Sequence, residues 1–110
     1  MTLAPADRLT GLVAATHTPF HADGGLNLAM VEKQAEHLLR SGVKSAFIGG
    51  TTGESHSLTV HERMELATRW GEVVGRQDEM RLVVHVGSNC QADARALAAH
   101  AQSIGAGAIA

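Results

Sequence analysis

FIGGTTGES, Phe47 to Ser55, runs from an apolar stretch straight into three glycines, two threonines and a glutamate. The residues before it, Ala46 to Gly49, read as a short buried strand. The residues after it read as a helix start, because Thr59 and Glu62 have the S/T-x-x-E spacing of a capping box. From there Val60, Met64, Ala67, Trp70 and Val74 form an apolar stripe, and Gly75 closes it. FIGGTTGES is therefore a strand-to-helix connection.

The same pattern repeats on both sides. Upstream, Leu12 to Ala15 is an apolar run ended by THTPF, where Pro19 stops ladder pairing. A turn cluster, Ala22 to Gly25, follows. Asn27 is then placed to cap a helix with Leu28, Val31, Ala35 and Leu38 on one face, closed by Gly42. Downstream, Leu82 to Val86 is a β-branched run without alternation. A third helix carries Ala94, Leu97, Ala101 and Ile104 on one face, with Gly105 at its end and its cap among Ser88, Asn89 and Cys90. A fourth apolar run, Gly107 to Ala110, closes the chain.

Short continuous strands joined by amphipathic helices predict a parallel sheet covered by helices. Either a doubly wound sheet or part of a (β/α)₈ barrel satisfies this pattern. A barrel takes about 250 residues, so 110 residues supply only its first half. The expected organisation is one domain segment, residues 1–110, broken off within the fourth strand, since an apolar edge left unpaired is unusual in a finished sheet.

Hydrophobic residues make up 45% of the chain and the formal charge is −2, ordinary values for a folded domain. Basic residues are scattered singly and the three aromatics do not cluster, which argues against nucleic acid and membrane surfaces as partners. No apolar run approaches the roughly 20 residues of a membrane span. The stretch MTLAPADRLT lacks the features of a secretory leader. One cysteine, Cys90, permits no internal disulfide, consistent with a reducing cytoplasm. A small molecule is the expected partner.

In a parallel α/β fold the strand-to-helix loops lie at the ligand end. Gly49, Gly50 and Gly53 let backbone amides approach a ligand, and Thr51 and Thr52 add hydroxyls. Donors without a lysine suit a carboxylate rather than a nucleotide phosphate, whose P-loop requires Gly-Lys-Ser/Thr. The alternative is that these residues form only a tight turn. Glu54 is expected to accept hydrogen bonds from loop amides rather than act as a base. Of the seven histidines, His17 and His21 flank Pro19, His56 and His61 straddle a helix start, and His37 and His100 fall in helices. None has metal-ligand spacing, so no metal or cofactor is expected. His85 reads as a core or barrel-lining residue, His17 as a pocket candidate, and Cys90 as a buried or helix-start thiol.

GLVAATHTPF (11–20), GGTTGES (49–55), LTVHERMELA (58–67) and VVHVGS (83–88) together resemble the pyruvate-dependent class I aldolases, the superfamily of dihydrodipicolinate synthase and N-acetylneuraminate lyase. The resemblance follows the chain in order over nearly its whole length. HVG at His85 to Gly87 is similar to the lyase branch, where synthases tend to show AGTG. The resemblance implies a TIM barrel whose Schiff-base lysine cleaves N-acetylneuraminate to N-acetylmannosamine and pyruvate, without metal or dissociable cofactor. It implies that Thr51 and Thr52 bind the keto-acid carboxylate, and that the enzyme is a cytoplasmic homotetramer. The implied catalytic lysine and tyrosine have no counterpart here: the chain has no tyrosine, and Lys33 and Lys44 fall on a helix surface and ahead of the second strand. This segment alone is therefore expected to be inactive. Dihydrodipicolinate synthase, or a non-catalytic self-associating half-barrel, are the alternatives.

Overall fold

The computed structural model describes residues 9–76 and 79–110, so most of the stretch read for a leader, residues 1–8, lies outside the described residues. Strands and helices alternate along the chain: β1 (Val13–Ala15), α1 (Met30–Arg40), β2 (Ser45–Ile48), α2 (Val60–Gly75), β3 (Arg81–Val84), α3 (Gln91–Ser103) and β4 (Ala108–Ile109). The four strands form one sheet in the order β1-β2-β3-β4. All three pairings are parallel, with Ala14 beside Ala46, Ala46 beside Leu82, and Val83 beside Ala108. Sequential order with every pair parallel is the barrel's pattern; a doubly wound sheet reverses direction at a switch point.

Strand periodicity divides the sheet into two faces. Ala46, Ile48, Leu82 and Val84 face the helices and join Val31, Ala35, Leu66, Ala67, Trp70 and Ala101 in one core cluster. Phe47, Val83 and His85 alternate onto the other face, which in a barrel is the interior. Apolar side chains are exposed at both edges of the sheet: Leu12 and Val13 at β1, Ile109 at β4.

The local signals explain most helix ends. Thr59 Oγ1 accepts from the Glu62 amide at 3.0 Å and Glu62 Oε1 from the Thr59 amide at 2.9 Å, completing the capping box. Such a cap contributes about 1 kcal/mol. Gly42 and Gly105 stand just past α1 and α3 with φ of +78° and +77°. Val43 N–H donates to Leu38 O and Ala106 N–H to Ala101 O, so both helices end in Schellman motifs.

Three expectations are corrected. Asn27 does not cap α1: the helix begins at Met30 after Ala29, with no side-chain cap. Asn27 instead accepts the Met30 amide at its own carbonyl and donates its amide to Pro19 O at 2.9 Å. That bond follows a small antiparallel bridge, Phe20 to Leu26, that periodicity could not reveal because it joins single residues. Gly75 is the last helical residue of α2 rather than the residue beyond it, and Arg76 follows in a right-handed conformation. Finally, β3 stops at Val84, leaving His85 and Val86 in the loop at the strand's carboxyl end.

Candidate functional site

The loop after β2 lies at the carboxyl ends of the strands and is held from several sides. Thr18 Oγ1, itself buried, donates to Gly53 O at 2.6 Å and ties the loop to the segment after β1. A Cβ at Gly53 would meet Gly49 N at 3.1 Å and Thr16 O at 3.2 Å, all rigid backbone, so only glycine fits there without displacing the chain. A Cβ at Gly50 would lie 2.4 Å from the Phe47 ring. The loop is thus stacked directly on Phe47.

Within this frame Thr51 and Thr52 are exposed. Among the described residues neither hydroxyl, nor the amides of Thr51, Thr52 and Gly53, enters a hydrogen bond. The loop's internal bonds use later amides: Glu54 N–H to Thr51 O at 3.0 Å and Ser55 N–H to Gly50 O at 3.1 Å. Thr51 and Thr52 thus carry unengaged amide and hydroxyl donors on an exposed part of one turn, an arrangement suited to an anion.

Glu54 departs from its expected part. Its carboxylate caps nothing among the described residues; its backbone, at φ 60° and ψ 40°, makes the left-handed step into the short 3₁₀ turn Ser55–Ser57. A non-glycine residue held there costs of order 1–3 kcal/mol, and such strain concentrates at functional sites. Composition carries no information on φ, which is why the side chain drew attention first.

Beside the loop lies a polar cavity of about 430 Å³ lined by Ser55, Thr59, Arg63, His85, Asn89 and Asp93, among others. Arg63, from the first turns of α2, is buried, and it was absent from the residues singled out in sequence. Its Nη1 donates to Gly87 O at 2.8 Å and its Nη2 to His85 O at 2.9 Å. The signal available for it was a charged residue at a position where the α2 stripe turns inward.

The His85 ring meets the Phe47 ring in a tilted contact, with centroids 5.8 Å apart and planes inclined by 42°. Burial, followed by the positive charge of Arg63 and the proximity of His56, lowers its pKa below the ordinary 6.5. The fold therefore resists a proton that the unfolded chain accepts. The contribution of the neutral His85 to stability is fully present above pH 6.5 and is lost as pH falls from there through the depressed folded value. The His85→Gln protein should lose less of its thermal midpoint between pH 7.5 and 5.5 than the parent. Equal losses in the two proteins would remove His85 from the pH response.

The other candidates are dispersed. His17 lies beyond β1 in a cavity of about 200 Å³ facing α1 and Gln34, away from the cleft beside His85. His61 pairs with Glu65 at 2.6 Å on the exposed side of α2, and His100 with Thr68 at 3.0 Å between α3 and α2. No group of three or more His, Cys, Asp or Glu residues is placed to hold a metal among the described residues. Cys90 is the first residue before α3, as one reading had it, but is exposed rather than buried. Lys33 is exposed on α1, and Lys44 precedes β2 at the end of the sheet opposite the loop.

Four parallel strands in sequential order, with a donor-rich loop at their carboxyl ends, define a segment of a (β/α)₈ barrel. The chain belongs to the dihydrodipicolinate synthetase family, whose model matches residues 8–110. N-acetylneuraminate lyase of Danio rerio is 48% identical over 103 residues, 93% of this chain and 33% of that protein. The structure of Proteus mirabilis N-acetylneuraminate lyase superposes with a TM-score of 0.85 at 40% identity, covering 92% of this chain and 34% of that one. Dihydrodipicolinate synthase from Aquifex aeolicus superposes with a TM-score of 0.84 at 26% identity, covering 92% of this chain and 33% of that one. The chain spans about a third of the length of these relatives. It is thus a smaller share of their length than the half expected from counting strands. No helix among the described residues is long and apolar enough to cross a membrane.

Proposed function

We propose that this chain forms the first four strands of a Schiff-base lyase that cleaves N-acetylneuraminate to N-acetylmannosamine and pyruvate. Residues 1–110 are then one part of a single barrel domain. Thr51 and Thr52 hold the substrate carboxylate through their hydroxyls and amides. The observation that carries this is the set of unengaged donors on the Thr51–Gly53 turn, at the ligand end of a family barrel. Orientation is their contribution: with the acid end held, the keto carbon is presented to an amine elsewhere in the barrel. Condensation of that amine with the keto carbonyl releases water. In the protonated imine the bond between the α and β carbons breaks as the β-hydroxyl gives up its proton, and its electron pair flows through the α carbon to the nitrogen, leaving an enamine. That amine and the proton-transfer group belong to the remaining two-thirds of a protein of the relatives' length. The lyase is read as a cytoplasmic homotetramer that uses no cofactor.

The greater identity to the lyases than to the A. aeolicus synthase supports lyase over synthase activity. Two measurements test the proposal. A protein of the relatives' length carrying this chain should release pyruvate from N-acetylneuraminate; condensation of pyruvate with aspartate semialdehyde instead would assign it to the synthases. The 110-residue chain, treated with pyruvate and borohydride, should show no added mass. A stoichiometric adduct on Lys33 or Lys44 would overturn the division of the site.

A further inference from the structure

Both ends of the connection from β2 to α2 are tied to the backbone of one residue. Ahead of the loop, the His85 amide donates to Ile48 O at 3.0 Å. Beyond it, Arg63 donates to His85 O at 2.9 Å and to Gly87 O at 2.8 Å. We infer that Arg63 is a positioning residue for the Thr51–Thr52 turn: by bridging the carbonyls of His85 and Gly87 it sets the start of α2, and with it the far end of the loop, against the end of β3.

Three features support an arginine clasp over simple packing. Over residues 60–65 of α2 Arg63 is the sole buried side chain; the apolar anchors Leu66, Ala67, Trp70 and Val73 come later. The helix start is therefore held by hydrogen bonds, which are directional, rather than by apolar contact, which is not. The two acceptors are alternate carbonyls at a strand end, and a rigid guanidinium fork spans such a pair where an ammonium reaches one at a time. Moreover, Arg63 Nε is buried with no partner among the described residues. An orphaned donor is a cost that an aliphatic side chain of the same size would avoid. What the arginine adds is geometry.

The inference rests on the proposed carboxylate role of the turn, and its test separates the two. A ¹⁵N-labelled protein of the relatives' length carrying this chain is titrated with sodium pyruvate, and amide exchange with water is measured at Glu54 and Ser55, whose N–H groups close the loop. The parent protein should show pyruvate-dependent shifts at Thr51 and Thr52. In Arg63→Met, exchange at Glu54 and Ser55 should accelerate about tenfold and pyruvate binding should weaken about tenfold. The α3 amides of Leu97 and Ala101 should keep their protection, which excludes general unfolding. Arg63→Lys should fall between parent and Arg63→Met in both readouts, and it decides the matter if Arg63→Met does not fold. Unchanged exchange at Glu54 and Ser55 in a folded variant overturns the clasp. A parent protein that ignores pyruvate overturns the carboxylate role instead, and exchange alone then decides for or against Arg63.

Discussion

Replacing Trp70 by alanine should destabilise the chain by about 3–5 kcal/mol. Trp70 is 0% exposed and is the largest fully buried side chain, in contact with the helix-facing residues of the sheet. Truncation removes that burial and leaves a cavity in the core cluster that close-packed neighbours fill only in part. A domain holding roughly 5–15 kcal/mol of stability would lose a large share of it. Trp70→Phe should cost less than the alanine change, because the phenyl ring fills part of the space and leaves a smaller cavity. The indole N–H has no partner among the described residues, so phenylalanine forfeits no hydrogen bond. Urea unfolding followed by far-ultraviolet circular dichroism reads both, since Trp70 is the chain's one tryptophan and fluorescence would vanish with it. Similar midpoints for the alanine and phenylalanine proteins would show that the indole does not organise the core.

The second large effect concerns the ligand. In a protein of the relatives' length, Thr52→Ala should weaken pyruvate binding by about 1.5–3 kcal/mol, the range for a hydrogen bond to an ionised group. That corresponds to roughly a 10- to 150-fold rise in Kd. Thr52 is exposed and its hydroxyl has no partner among the described residues, so its loss should leave stability nearly unchanged. Thr52→Ser, which retains the hydroxyl, should bind nearly as well as the parent. An unaltered Kd in Thr52→Ala would leave the threonines with only a turn-forming role.

Much of the fold was legible because its signals are local. The Thr59–Glu62 capping box joins residues three apart, and the two Schellman ends need only a glycine beyond an apolar stripe. Asn27 shows the limit of such rules. A good capping side chain competes with the tertiary demands on its backbone, and here the bond to Pro19 claimed it. For the site, the sequence pointed to a loop that the structure places at the carboxyl ends of the strands, with Thr51 and Thr52 exposed on it, but misassigned Glu54. Its importance lies in a backbone angle, which side-chain chemistry does not report.

By itself, then, the sequence determined the order of strands and helices, most of their ends, and a donor-rich turn too poor in lysine for phosphate. Periodicity, capping and turn chemistry act within a few residues, and each is written in neighbouring letters. Only the tertiary structure decided that Thr18 holds Gly53, that the rings of Phe47 and His85 meet, and that Arg63 bonds the carbonyls at the end of β3. Those contacts join residues from 22 to 38 positions apart. Parallel register brings them together, and register is set by the packing of the whole sheet against its helices. The turn FIGGTTGES carries its donors in its own residues; its anchoring is supplied by others.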